Sequence, residues 1–155
     1  MVLVPMTWEE AVALRSGTAA DRHQGCAATP SLVASMEADT LMEEVEYAAL
    51  SYAGVLALVL KPTSPRLVVA AEVQQEQLTD LDRSLGEVEV RELAWAQVQA
   101  LFADEPAAIE AVRRAAKMVA GQSLPAALDA PEVEAVLDEY DLLWFAPHEL
   151  DQLQG

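Results

Sequence analysis

Apolar and polar positions along this chain fall into short blocks, each with its own period. Val2, Leu3 and Val4 form a brief apolar run stopped by Pro5, which reads as a strand. Thr7 with Glu10 three residues on is the signature of a capped helix; Val12 and Leu14 face its core and Gly17 ends it. Residues 18–25 read as a loop, residues 26–29 as a small buried strand, and Pro30 as the first turn of a short helix. Thr40 with Glu43 predicts a second capping box, at the head of the longest helix. Val45, Ala49, Tyr52, Leu56 and Val59 make one stripe of that helix. From Val55 onward it is apolar all round, which predicts burial in the domain centre. The run 55–60 also fits a strand, because short apolar runs do not separate the two.

After a break at 61–65, residues 67–73 are apolar on both faces apart from Glu72, the pattern of a central strand. Residues 74–86 are polar and end in Gly86. Val88 and Val90 alternate with Glu87, Glu89 and Arg91, so this strand wets one face and lies at an edge. A short helix around 93–98 and a strand at 100–103 follow. Asp104 is read as the cap of a helix with Pro106 in its first turn, striped by Ile109, Val112, Ala116 and Val119 and closed by Gly121. Residues 122–130 read as a loop. A helix after Pro131, a strand at 142–145 and a short terminal helix from Pro147 complete the chain. Strand-like segments run into short helices at 4–10, 90–95 and 145–150, an echo that three strand-to-helix turns explain without duplication. Alternating strands and helices predict an α/β or α+β class, in one globular domain over residues 1–155. The expected architecture is a mixed sheet of four to six short strands covered by about five helices.

Charge narrows the range of partners. Twenty-six acidic residues against nine Lys and Arg give a formal net charge of -17, so binding nucleic acid through a basic face is not expected; the acidity favours a basic protein partner or serves only to keep the protein in solution. The only cysteine is Cys26, so no intramolecular disulfide forms, as suits a reducing compartment; it reads as a buried, inert thiol. The first ten residues lack a basic segment and a long apolar run, and residues 48–60 are too few to span a bilayer. The expectation is a cytoplasmic protein with no membrane association. A single Ile, two Lys and no Asn, against 29 Ala, point to a high-GC genome.

No Gly-rich phosphate loop, nucleophile elbow, paired-His zinc motif or calcium loop is present, so no cofactor and no metal are expected. Glu43, Glu46 and Tyr47 lie within one helical turn, where carboxylates serve as acid and base or simply favour a helix start. His148 lies beside Glu149 and Asp151, and Asp141 precedes the apolar Leu142-Leu143-Trp144-Phe145. Acids at the mouth of a strand mark clefts in α/β sheets and also plain polar turns. Trp144 is read as core. The candidate site is therefore Glu43, Glu46, Tyr47, Asp141 and His148.

Several segments recur together in a known pattern: Val4-Pro5-x-Thr7, Thr29-Pro30, Glu46-Tyr47-Ala48-Ala49, the run 67–73, and Asp141-Leu142-Leu143-Trp144-Phe145-Ala146 with Glu149-Leu150. They resemble an uncharacterised actinobacterial family of short acidic proteins, a domain of unknown function, over residues 2–153. The resemblance implies a cytoplasmic protein of a high-GC Gram-positive bacterium and brings no activity, cofactor or catalytic residue. The functional expectation is a non-enzymatic, cytoplasmic protein-interaction domain with a strongly acidic surface. The alternative is a small enzyme or metal-binding protein that uses the clustered carboxylates.

Overall fold

The computed structural model describes residues 1–62, 65–81 and 83–153. Thr63 and Ser64 of the expected break, and Asp82 of the expected polar loop, lie outside the described residues. Seven strands form one sheet: β1 (Val2–Pro5), β2 (Arg22–Ala27), β3 (Leu67–Ala71), β4 (Leu78–Asp80), β5 (Glu87–Arg91), β6 (Val98–Ala103) and β7 (Leu143–Phe145). Among the described residues there are six α-helices: α1 (Trp8–Arg15), α2 (Pro30–Ala34), α3 (Met42–Leu60), α4 (Ile109–Val119), α5 (Leu124–Leu128) and α6 (Pro131–Glu139). A seven-residue 3-10 helix (Pro147–Leu153) ends the described chain, and three-residue 3-10 turns precede β4, β6 and α4. None of these helices is long and apolar enough to cross a membrane.

The sheet order is β4-β5-β2-β1-β3-β6-β7 and every neighbouring pair is antiparallel, so the expected mixed sheet is corrected to an antiparallel one of more strands. Period-2 alternation divides its side chains between two cores. Val2, Val4, Leu67, Val69, Val88 and Val90 meet α1 and the terminal 3-10 helix on one face. Leu3, Cys26, Val68 and Ala70 meet α3 on the other, and α4–α6 pack outside α3. The second half of α3 is thus sandwiched between sheet and helices, and Val55, Leu56, Ala57, Leu58 and Val59 are all buried, as an all-round apolar helix requires. In β6 a bulge at Gln99 shifts the register from Ala70 opposite Ala100 to Ala71 opposite Val98. That extra residue lets Val98 and Leu101 face the same core although they are three apart.

Several local expectations hold and several shift. The Thr7 box forms, with the Glu10 N–H donating to Thr7 Oγ1 at 3.1 Å and the Thr7 N–H donating to Glu10 Oε1 at 2.9 Å. The second box is displaced by one residue: α3 is preceded by Leu41, whose N–H donates to Glu44, and no hydroxyl caps it. The segment 74–86 contains β4, so β4 is the edge and β5 is interior. Its Glu87 is buried and held by Arg83 at 3.1 Å. The segment 122–130 contains α5, capped by Ser123. β2 is longer than expected because its exposed half, Arg22 to Gln24, is polar and pairs with β5.

The strand-to-helix echo has a common cause. In each case the backbone N–H just past the strand donates to a Glu or Gln side chain three residues on. The pairs are Thr7 with Glu10 (2.9 Å), Ala94 with Gln97 (3.1 Å) and Ala146 with Glu149 (2.7 Å). A fourth, Gln74 with Gln77 (3.0 Å), lies in the segment read only as polar. Leu67–Asp80 and Glu87–Ala100 follow the same strand, turn, 3-10, strand sequence twenty residues apart. Their two glutamines, Gln77 and Gln97, exchange side-chain amide hydrogen bonds at 2.7 and 3.2 Å.

Asp104 is not a helix cap. It is buried at the end of β6 against Arg66, which precedes β3, with side chains only 0% and 2% exposed. Arg66 Nη2 donates to Oδ1 at 2.8 Å, Nε donates to Oδ2 at 3.1 Å, and the Arg66 backbone N–H donates to Oδ2 at 2.8 Å. The guanidinium reaches α3 where Gly54 leaves room; a Cβ there would stand 3.0 Å from Nη1. Removing one member of such a buried pair strands the other charge. Asp104→Ala is expected to cost about 3–5 kcal/mol, or roughly 8–15 °C in Tm. Arg66→Met with Asp104→Leu should recover most of that loss. A denaturant melt in which Asp104→Ala costs no more than breaking the exposed Arg15–Asp151 pair would contradict this assignment.

Candidate functional site

A cleft of about 860 Å³ lies at the end of the sheet where β1 begins and β2 and β3 finish. The early turns of α3 form one wall through Glu46, Tyr47, Ala49 and Leu50. The turn after β3 and strand β4 form the opposite wall through Gln75, Glu76, Leu78 and Asp80. Leu3, Ala27, Val88 and Phe102 supply apolar lining from the sheet, and Thr29 and Pro30 contribute the start of α2. Among the described residues no Lys, Arg or His side chain lines it, and Met1, which carries the α-amino group, does. Three carboxylates, Glu46 from α3 and Glu76 and Asp80 from the segment after β3, border the cavity. Glu72 lies nearby, 4.0 Å from the α-amino group of Met1.

Beside the cleft is a crevice of about 40 Å³ between α3 and the turn from α6 to β7. Tyr47 and Leu50 belong to both, so they are the partition between them. Arg66 contributes to its lining together with Ser51, Tyr140 and Asp141. Across its mouth the Tyr47 hydroxyl donates to Asp141 Oδ1 at 2.8 Å, joining residues 94 apart in sequence. That hydrogen bond, then burial and the carboxylate's charge, pushes the Tyr47 phenol above its usual range.

Three of the five candidate residues thus converge: Glu46, Tyr47 and Asp141. Glu43, a turn earlier on α3, is exposed and lines neither cavity. His148 is exposed on the terminal 3-10 helix, which packs on β6 and α1 across the sheet from α3. His23, in β2, is half-buried; burial pushes its pKa down, against the pull of Glu10. The Cys26 thiol is buried and pushed up to about 12, in keeping with an inert thiol. Among the described residues, no group of three or more His, Cys, Asp or Glu side chains stands close enough to hold a metal ion.

Sequence reasoning missed Glu76 and Asp80 because they lie in the polar segment 74–86, to which it assigned no element. The matching pattern of the segments twenty residues apart was the signal that would have placed β4. Trp144 was read as core, yet it is 61% exposed because β7 is an edge strand with a neighbour on one side only.

The Tyr47–Asp141 bond makes a spectroscopic prediction. In an absorbance titration, the tyrosine component missing from Tyr47→Phe should move to lower pH in Asp141→Ala, since the neutral phenol loses its acceptor and the phenolate a neighbouring charge. An unmoved component would show that Asp141 does not hold the phenol.

No curated protein and no solved structure matches the chain. Residues 1–154 match the model of DUF6912, a family of unknown function. The chain belongs to the DUF6912 family.

Proposed function

We propose that this domain is a non-enzymatic interaction module that takes a positively charged segment of another protein in the cleft beneath α3. The observation that carries the reading is the cleft's lining: Glu46 from α3, Glu76 and Asp80 from the segment after β3, apolar residues from the sheet, and no Lys, Arg or His side chain among the described residues. Low-dielectric walls focus the field of such acids, so a cation entering the cleft gains more than it would on an open acidic surface. The apolar lining of Leu3, Leu50 and Phe102 suits the aliphatic stems of Lys and Arg, which pack on apolar surface while the charged head meets the rim. The net charge of -17 adds long-range attraction for the same class of partner. The acid–base reading is less well supported, because the only imidazole in the candidate set, His148, lies across the sheet.

The test uses hexa-arginine as the probe in titration calorimetry. Glu46→Gln with Glu76→Gln should weaken binding about tenfold, equivalent to about 1.4 kcal/mol. Glu110→Gln with Glu134→Gln, which removes the same charge from exposed positions on α4 and α6, should leave binding within about twofold at physiological salt, where the Debye length is about 8 Å. Equal losses from the two pairs would mean that only net charge matters and would contradict the cleft.

A further inference from the structure

The two edges of the sheet are built differently. β4, at one end, carries Asp80, and a charge on an edge strand discourages further pairing. β7, at the other end, is Leu143-Trp144-Phe145, with no charge in the strand. It pairs with β6 on one side, and no described strand pairs with the other. Leu143 is 41% and Trp144 61% exposed, so the unpaired edge presents two large apolar side chains along with its backbone groups.

This edge adjoins the cleft. Trp144 stands opposite Phe102 in the β6–β7 register, and Phe102 lines the cleft. Asp141, two residues before β7, is the acceptor of the hydrogen bond from Tyr47, which forms part of the cleft's wall.

Charge brackets the strand. From residue 118 to the C-terminus the chain has eight acidic residues and no Lys or Arg. Asp138, Glu139 and Asp141 precede β7; Glu149 and Asp151 follow it, the first accepting from the Ala146 N–H and the second paired with Arg15 at 3.0 Å. A second copy of the chain adding antiparallel to β7 would set the Asp141 end of each strand against the Glu149 end of the other, acid against acid. A strand with apolar residues at its centre and Lys or Arg on both flanks meets the edge and both acidic ends.

We propose that β7 accepts such a basic-flanked extended segment of a partner protein as an eighth strand of the sheet, with Trp144 packed against it. The partner's positive charge rests on the cleft reading above; the mode of docking does not. Backbone hydrogen bonds to the open edge supply affinity in strand addition, and alternate side chains supply specificity.

The probe is the peptide Lys-Lys-Val-Thr-Val-Thr-Val-Lys-Lys, compared with a version N-methylated at alternate central residues, which keeps the charge and loses the N–H groups. In amide-resolved NMR titrations the unmodified peptide should shift the backbone amides of Leu143, Trp144 and Phe145 and slow hydrogen exchange at the alternate N–H groups that face the open edge. The N-methylated version should bind at least tenfold more weakly, and Trp144→Ala should weaken the unmodified peptide severalfold. Equal affinity for both peptides, with shifts confined to Glu46, Tyr47 and Glu76, would overturn strand addition while leaving the cleft reading intact. Absence of shifts at β7, or peptide-independent dimerisation through β7 in sedimentation, would also overturn it. Unchanged affinity in Glu46→Gln with Glu76→Gln, with the β7 shifts intact, would count against the cleft alone.

Discussion

The buried ion pair between Arg66 and Asp104 is the constraint around which the α3 side of the molecule is arranged. Two charges removed from water are tolerated only when hydrogen bonds saturate them. Here Asp104 receives the Arg66 guanidinium and the Arg66 backbone N–H together. The pair fastens the start of β3 to the end of β6 at the sheet's inner seam. It also places a guanidinium against α3 at Gly54, so the helix interior bears a residue that is otherwise a poor helix former. Close packing of α3 on the sheet at this point and the crevice lined by Arg66 are two results of one contact.

From that fixed point the rest of α3 extends toward the opposite end of the sheet. Its second half is covered on all sides and behaves as core. Its first half projects Glu46 and Tyr47 over the strand ends, where the turn after β3 returns Glu76 and Asp80 from the other side. The cleft exists because a long helix and a short edge strand overhang the same strand ends. The turns that lead out of β1, β3, β5 and β7 share one side-chain-to-backbone hydrogen bond, which gives each strand a defined exit without a glycine-rich loop. Acidity has two origins in this design. Glu10 and Glu149 satisfy backbone donors at such exits, whereas Glu46 and Glu76 are exposed beside the cavity.

Much of the fold was legible where hydrophobic pattern alone decides. The all-round apolar second half of α3, the doubly buried β3 and the Thr7–Glu10 box followed from spacing, because burial and capping leave direct marks on residue type. β4 and α5 were not legible in that way. Each is short, and β4 is half-polar because it lies at an edge, so its composition is that of a turn. Asp104 was misread because a buried carboxylate and a capping carboxylate look the same until the partner, 38 residues away, is known. At the site, Glu46, Tyr47 and Asp141 could be named from the helix head and the strand mouth, but their convergence depends on a pairing between distant segments. Trp144 shows the limit of the rule that large aromatics belong to the core; its exposure is decided by sheet order, which a local pattern does not encode.

The central claim is that cations bind beneath α3 and do not simply collect on an acidic surface. Its most direct test is residue-by-residue mapping of amide chemical shifts as hexa-arginine is added to labelled protein, at low and at high salt. The account predicts the largest shifts at Glu46, Tyr47, Gln75 and Glu76, attenuated but still centred there at high salt, because the apolar lining still packs the arginine stems when salt screens the charges. Shifts spread evenly along α6 and its exposed acids, and abolished by salt, would contradict it.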